Sequence, residues 1–444
     1  MATSSANIKG TERLTTIILF SSMLIAFWVF LGYETLAAGL ALLTLSITMR
    51  FYAVAAANAV QKARVLASYE GSFSDEPVRV SFTIVNVSRV PIAFLEFLLH
   101  HSPYLRASTQ TSGTTYLPPR GSVKISFVFD GRAGKHLVGP LKVVVRDPLG
   151  LYKSAELPVG SPVEVRVMPK PSEALLRRAL ITSKVAALSR TRRVGVGVEF
   201  YGVREYMPGD ELRRISWRHY SLWGKPFVKL TEEESSLNLV FLIYLSREAF
   251  SGVYKHTPFE HVASVVASIA RYSARRNDLM CLHASVGGTH IHTRLMRGRR
   301  AYQEVMNSLA EIPFNPDIQD FTQFKTLNEV LSEVYRYLPR DRSIILLLTT
   351  SSTLIREAQG LQKLMTFLSS KGHVTYVICP LTQAYEVKGL PEWGKALYRL
   401  KTFETVRNEV MSIRKVRELG IPVIAMGPEN IVQEVVSRLE TLRG

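Results

Sequence analysis

The chain has 444 residues, enough for two or three domains. Apolar residues make up 47% against 21% charged, which points to a short membrane portion. Its two cysteines, Cys281 and Cys379, sit in apolar runs and exclude a disulfide framework, no Cys/His spacing fits zinc, and the net charge of +18 fits an anionic membrane, nucleic acid or an acidic protein as partner, or equally a solvated basic face.

Residues 14–32 form a stretch of 19 residues without a charge. As a helix at about 1.5 Å per residue it nearly crosses a hydrocarbon core of about 30 Å. A second apolar run starts at Thr35 and continues past Arg50 to Ala57. The pattern predicts a membrane anchor over residues 1–57, with transmembrane helices at about 14–32 and 35–57. Lys9 and Arg13 precede the pair, Arg50, Lys62 and Arg64 flank its end, and the turn carries only Glu34, so both termini and the soluble domains are expected on the cytoplasmic side of the cell membrane. A cleaved signal peptide ending near Leu36-Ala37-Ala38 is the competing reading, but a second apolar run follows at once.

Residues 58–170 alternate apolar and polar side chains in short runs, such as 78–85, 123–129, 141–145 and 163–167, with breakers between them. A period of two with frequent turns predicts a β-sandwich-like domain. His100-His101 is no ligand pair, because adjacent strand residues face opposite ways.

Residues 171–235 open with a basic helix predicted over 174–190, with Ser172 as N-cap and Arg177, Arg178, Lys184 and Arg190 as a basic face. Residues 170–229 hold 13 Lys and Arg against five Asp and Glu. Gly195-Val196-Gly197 lacks phosphate-loop or dinucleotide spacing. Glu199-Phe200, Arg204-Glu205-Tyr206, Pro208-Gly209-Asp210, Arg213-Arg214-Ile215 and Trp217 then mix charges and aromatics too densely for a plain core segment. Pro208-Gly209-Asp210 reads as a turn, with Asp210 as N-cap of a short helix through Trp217, and Arg204 or Arg213 paired with Asp210 or Glu205. Ser216 and His219 lack a third orienting residue, which favours a structural or docking network over catalysis.

From residue 236 to 444, continuous apolar runs alternate with amphipathic ones. Strands are predicted at 237–245, 279–285, 290–295, 343–349, 373–379 and 421–426, and helices at 258–276, 298–310, 321–337, 357–370, 406–419 and 429–442. Such alternation predicts an α/β doubly wound sheet.

The segment from Gly197 to Trp217 resembles the signature of domain-of-unknown-function family 58, in which a pattern of the type E-F-x-x-x-R-x-Y-x-x-G-D-x-x-R-x-I-x-W precedes a von Willebrand factor A-like domain. The Asp147-Pro148-Leu149-Gly150 turn and the order of segments are also similar. The resemblance implies a von Willebrand factor A-like fold for residues 236–444, an interaction role, and a MoxR-type AAA+ ATPase as partner. It singles out Glu199, Arg204, Glu205, Tyr206, Gly209, Asp210, Arg213, Arg214 and Trp217 as the signature network. Many such domains hold a divalent cation on a D-x-S-x-S strand end and a later Asp. Here Tyr244 and Glu248 stand in the outer positions of the first and Thr349-Thr350 ends the later strand, so no metal is expected; Ser246, Glu248 and Thr350 would be the substitute ligands of a degenerate site.

The expectation is a membrane-anchored, non-enzymatic adaptor that needs no cofactor. The alternative is a basic module for an anionic membrane surface or nucleic acid, using Trp217 or Trp223, although no nucleic-acid motif is present.

Overall fold

The computed structural model describes residues 8–172, 194–232, 236–314, 327–339, 341–381 and 391–443. The chain divides into two compact units, residues 1–168 and 169–444. The helix predicted over 174–190 lies outside the described residues, as do Arg192 and Arg193.

In the first unit, β1 (Ile8–Gly10) leads into helix α1 (Glu12–Ala26), a single turn α2 (Trp28–Leu31) and the long helix α3 (Tyr33–Gln61). The apolar run expected as one helix over 14–32 therefore breaks at Phe27, and Gly32 at φ 93° ends the second piece. Only α3 among the described helices is long and apolar enough to cross a membrane. α1 packs along α3 where Ser21 donates its hydroxyl to the Gly39 carbonyl at 2.6 Å. A Cβ on Gly39 would stand 3.0 Å from the Ser21 carbonyl oxygen, so the close approach requires glycine.

Two antiparallel sheets follow. β2 (Arg64–Glu70), β3 (Pro77–Val85) and β6 (Ser122–Asp130) form one. The other runs β1, β8 (Tyr152–Ser154), β7 (Gly134–Arg146), β4 (Ile92–His101) and β5 (Ser112–Leu117), with β9 (Leu157–Val159) and β10 (Val163–Val167) also on β7. Alternation sends Val80, Phe82 and Ile84 of the first sheet and Leu141, Val143 and Val145 of the second into one core. Each such side chain contributes about 1.5–3 kcal/mol on burial.

Ala56, Ala59 and Val60 of α3 belong to that same core, with Tyr52 packed against it. Tyr52 also donates to the Pro91 carbonyl and accepts from the Ala93 N–H. The last turns of α3 are thus part of the β module, which corrects the expected span over 35–57. Apolarity alone does not separate residues destined for lipid from residues destined for a protein core.

The second unit contains a two-stranded hairpin, β11 (Val194–Glu205) with β12 (Phe227–Glu232), and an open sheet. The sheet strands are β13 (Asn238–Leu245), β14 (Leu279–Val286), β15 (Thr289–His292), β16 (Met296–Arg297), β17 (Ile344–Leu348), β18 (Val374–Pro380) and β19 (Val423–Met426). Their order is β15-β14-β13-β17-β18-β19, with β16 also on β14. The β13 pairings to β14 and β17 are parallel, as are β17 to β18 and β18 to β19; β15 alone closes its end antiparallel along that path. The unbroken apolar stretch of β13 is explained by helices on both faces.

The hairpin connection carries the short helix α4 (Trp217–Trp223). Helix α5 (Pro258–Arg275) starts with a capping box in which Thr257 and Glu260 satisfy each other's orphan groups, and Pro258 fits the first helical position. α6 (Gly298–Glu311) packs with it. Val240, Leu242, Ile345 and Leu347 face the other side, into a core shared with α7 (Leu327–Tyr335), α8 (Ser351–Arg356), α9 (Ala358–Ser370) and α10 (Glu392–Glu418). α11 (Pro428–Arg443) ends the described chain and packs on α5. The helix expected over 406–419 thus begins 14 residues earlier, the helix expected over 357–370 is α9, and α8 is an additional short helix before it.

Candidate functional site

The signature folds as a hairpin with an elaborated tip. β11 pairs with β12 antiparallel through a register shift near Phe200–Gly202. Between the strands lie a turn at 207–210, a short 3-10 turn Leu212–Arg214 and α4. Gly209 adopts φ 110°, a conformation glycine takes without strain. Asp210 does not cap a helix, contrary to expectation. Its Oδ2 accepts the Met207 N–H at 2.9 Å, three residues back, while its Oδ1 receives Arg204 Nη2 at 2.5 Å. Glu211, not Asp210, stands at the N-cap position of the 3-10 turn, so the Asp210 carboxylate closes the 207–210 turn instead. The Met207 hydrogen bond, and then Arg204, hold the Asp210 carboxyl below its ordinary range.

The remaining acids of the tip are paired in the same local manner. Lys225 reaches Glu205 at 3.4 Å and Arg214 reaches Glu211 at 3.3 Å. Arg204 also donates to the Glu205 carbonyl. The Tyr206 N–H is taken by the Pro226 carbonyl. Ser216 lies 2.8 Å from His219 Nδ1, and His219 packs toward Phe227, which orients the inner side of α4. Glu199 lies on β11. The structure therefore brings Arg204 to Asp210 and Arg214 to Glu211, leaves Arg213 exposed, and turns Trp217 outward at 67% exposure.

At the C-terminal ends of β13 and β17 lies the region where the sheet order reverses, the usual place for a ligand in an open α/β sheet. Ser352 donates to Glu248 at 3.1 Å and lies 3.2 Å from the Thr350 hydroxyl. Ser351 donates to Glu409 of α10 at 2.7 Å. Burial pushes the Glu409 carboxyl up, partly offset by that bond. Glu248 and Thr350 thus meet through Ser352, while no bond joins Ser246 to either among the described residues. No group of three or more His, Cys, Asp or Glu is arranged for a metal among the described residues. Burial pushes Cys281 and Cys379 up to about 12, the condition of inert thiols.

A third feature escaped the sequence reading. Glu409, Ile413 and Val416 of α10 follow at helical spacing toward the core. Trp393, Leu397, Leu400 and Met411 fall on the opposite side of the helix and are exposed, Trp393 at 72% and Leu400 at 75%. The spacing of three and four residues after Pro391 was the available signal.

Residues 202–418 match the family described as Protein of unknown function DUF58. The matched segment starts after Glu199 and ends with the last residue of α10. No curated protein matches the chain. Among solved structures, the X-ray structure of Northeast Structural Genomics Consortium target SoR45 is 14% identical, with 23% of this chain and 83% of that one covered and a TM-score of 0.16. A Bacteroides fragilis chain provisionally described as a beta-galactosidase is 12% identical, with 71% of this chain and 38% of that one covered and a TM-score of 0.15. Neither likeness carries weight for the fold.

Proposed function

We propose that this chain is a membrane-anchored adaptor without catalytic activity of its own, whose C-terminal unit docks a protein partner. The outward stripe of α10 carries the reading. A helix that buries one apolar face and leaves a second bare, headed by Trp393, has the composition of a protein-binding surface. The strand order with one antiparallel edge supports a von Willebrand factor A-like domain. The resemblance of the segment from Gly197 to Trp217 supports a MoxR-type AAA+ ATPase as that partner.

Membrane anchoring is supported by the bare apolar surface of Leu19, Phe20, Met23, Val29, Phe30 and Phe51 on α1 to α3. From Tyr33 to Phe51 the helix would rise about 28 Å before Tyr52 enters the β module. α1 departs from that same module, because β1 pairs with β8 and Thr11 donates to the Gly150 carbonyl. Both legs rooted in one module fit two spans with a tip on the far side, and the basic flanks support a cytoplasmic module.

The test measures binding of detergent-solubilised full chain to a purified MoxR-type ATPase. Leu397→Asp with Leu400→Asp should weaken it at least about tenfold, the loss expected on removing two buried leucines. Undiminished binding by a folded variant would overturn the docking surface.

A further inference from the structure

The hairpin tip shows a division of charge that folding alone does not require. Each described acid of the tip is held by a base: Asp210 by Arg204, Glu205 by Lys225 and Glu211 by Arg214. Arg213, Arg218 and Lys229 are exposed and have no acidic partner among the described residues. The uncompensated charge is therefore all positive. Between those charges stand Leu212 at 68% exposure, Leu222 at 71%, Trp223 at 70%, and the outward Trp217 and Tyr220. Trp217 meets Tyr220 edge-on and Trp223 meets Phe227, so both indoles are held in place by the hairpin.

Large bare aromatics cost free energy in water, and a solvated basic face has no use for them. Protein cores reject three unpaired cations. The zone at the edge of a bilayer accepts both: Trp and Tyr settle at headgroup depth, and Lys and Arg meet anionic lipid. We propose that the hairpin tip is a lipid-facing surface that lays Trp217, Leu222 and Trp223 into the headgroup zone of an anionic leaflet, with Arg213, Arg218 and Lys229 on its negative groups. The inference rests on the anchored reading above, because a chain already held at a bilayer presents the tip to lipid at high effective concentration. At about fivefold per cation, three cations favour the docked tip on the order of a hundredfold over a neutral surface.

The chain's four tryptophans, Trp28, Trp217, Trp223 and Trp393, allow the test. Full-length variants that keep a single Trp, the others replaced by Phe, are placed in nanodiscs of brominated phosphatidylcholine with or without equimolar phosphatidylserine. Quenching of Trp28 reports the anchor, and quenching of Trp217 or Trp223 reports the tip. Tip quenching is expected in the anionic discs, weaker in neutral discs, and lost in R213Q/R218Q/K229Q with Trp28 still quenched. Quenching of Trp28 alone in both lipids would overturn the tip's role and leave the anchor standing. No quenching at any position would overturn both. Tip fluorescence that responds to a single-stranded oligonucleotide and not to anionic discs would assign the patch to nucleic acid and overturn the lipid surface.

Discussion

Arg443→Met strips a buried carboxylate of its counter-charge. Asp278, just before β14, is fully buried, and one oxygen accepts the Leu237 N–H at 3.0 Å while the other is held by Arg443 of α11. Arg443 is 12% exposed and also approaches Glu440, itself as buried, at 3.5 Å. Methionine fills similar volume, so the substitution isolates the charge. Breaking a buried pair by removing one partner costs about 3–5 kcal/mol. At roughly 2–3 °C per kcal/mol for a unit of this size, the melting temperature should fall by about 6–15 °C. Adding Asp278→Asn keeps an acceptor for Leu237 without a charge, and should recover most of the loss. The assay is calorimetric or fluorescence-detected unfolding of the detergent-solubilised chain at neutral pH, as a double-mutant cycle. A single-variant loss below about 1 kcal/mol, or a double variant worse than Arg443→Met alone, would refute the assignment of the pair as the lock between α11 and the sheet.

Further outcomes follow from the same structure. Burial lowers His283 to about 4, aided by neighbouring His292, so folding favours its neutral form. Because the unfolded chain binds the proton first, stability from His283 is complete above about 6.5 and is lost as pH falls toward 4; on the order of 3 kcal/mol disappears across that window, and His283→Phe should flatten it in pH-dependent unfolding. The depressed Asp210 carboxyl contributes above the ordinary carboxylate range and is lost only below it, so hydrogen exchange of the Met207 amide should quicken in Asp210→Ala at neutral pH and in the parent chain only in acid. Gly39→Leu should push α1 from α3, read as loss of disulfide cross-linking between cysteines placed on the two helices. Magnesium should leave the melting temperature unchanged; a saturable rise would assign a cation to Ser246, Glu248 and Thr350.

The sheet of the second unit was legible because β13 and β17 are buried on both faces and read as nearly unbroken apolar runs. The β module was legible from its period of two. Three things were hidden for physical reasons. The apolar residues 52–57 of α3 could have met lipid or a core, and hydropathy is the same for both. Among the described residues, no side chain in the first half of α10 is buried, so its periodicity describes an outward stripe that a core-seeking reading passes over. In the signature, Pro208-Gly209-Asp210 announced a turn, and an acid beside a short helix suggested a cap. The direction taken by the Asp210 side chain depended on Arg204 six residues earlier. The Asp278–Arg443 pair joins residues 165 positions apart and leaves no local mark.

The course of α3 has a mechanical meaning. It runs as one unbroken helix from Tyr33 to Gln61, and its final turns are bolted into the β module by Ala56, Ala59, Val60 and the two hydrogen bonds of Tyr52. No swivel separates the two parts. Whatever fixes the tilt of residues 33–51 fixes the attitude of the module as well, as a mast fixes its deck. A torque on one is delivered to the other without slack.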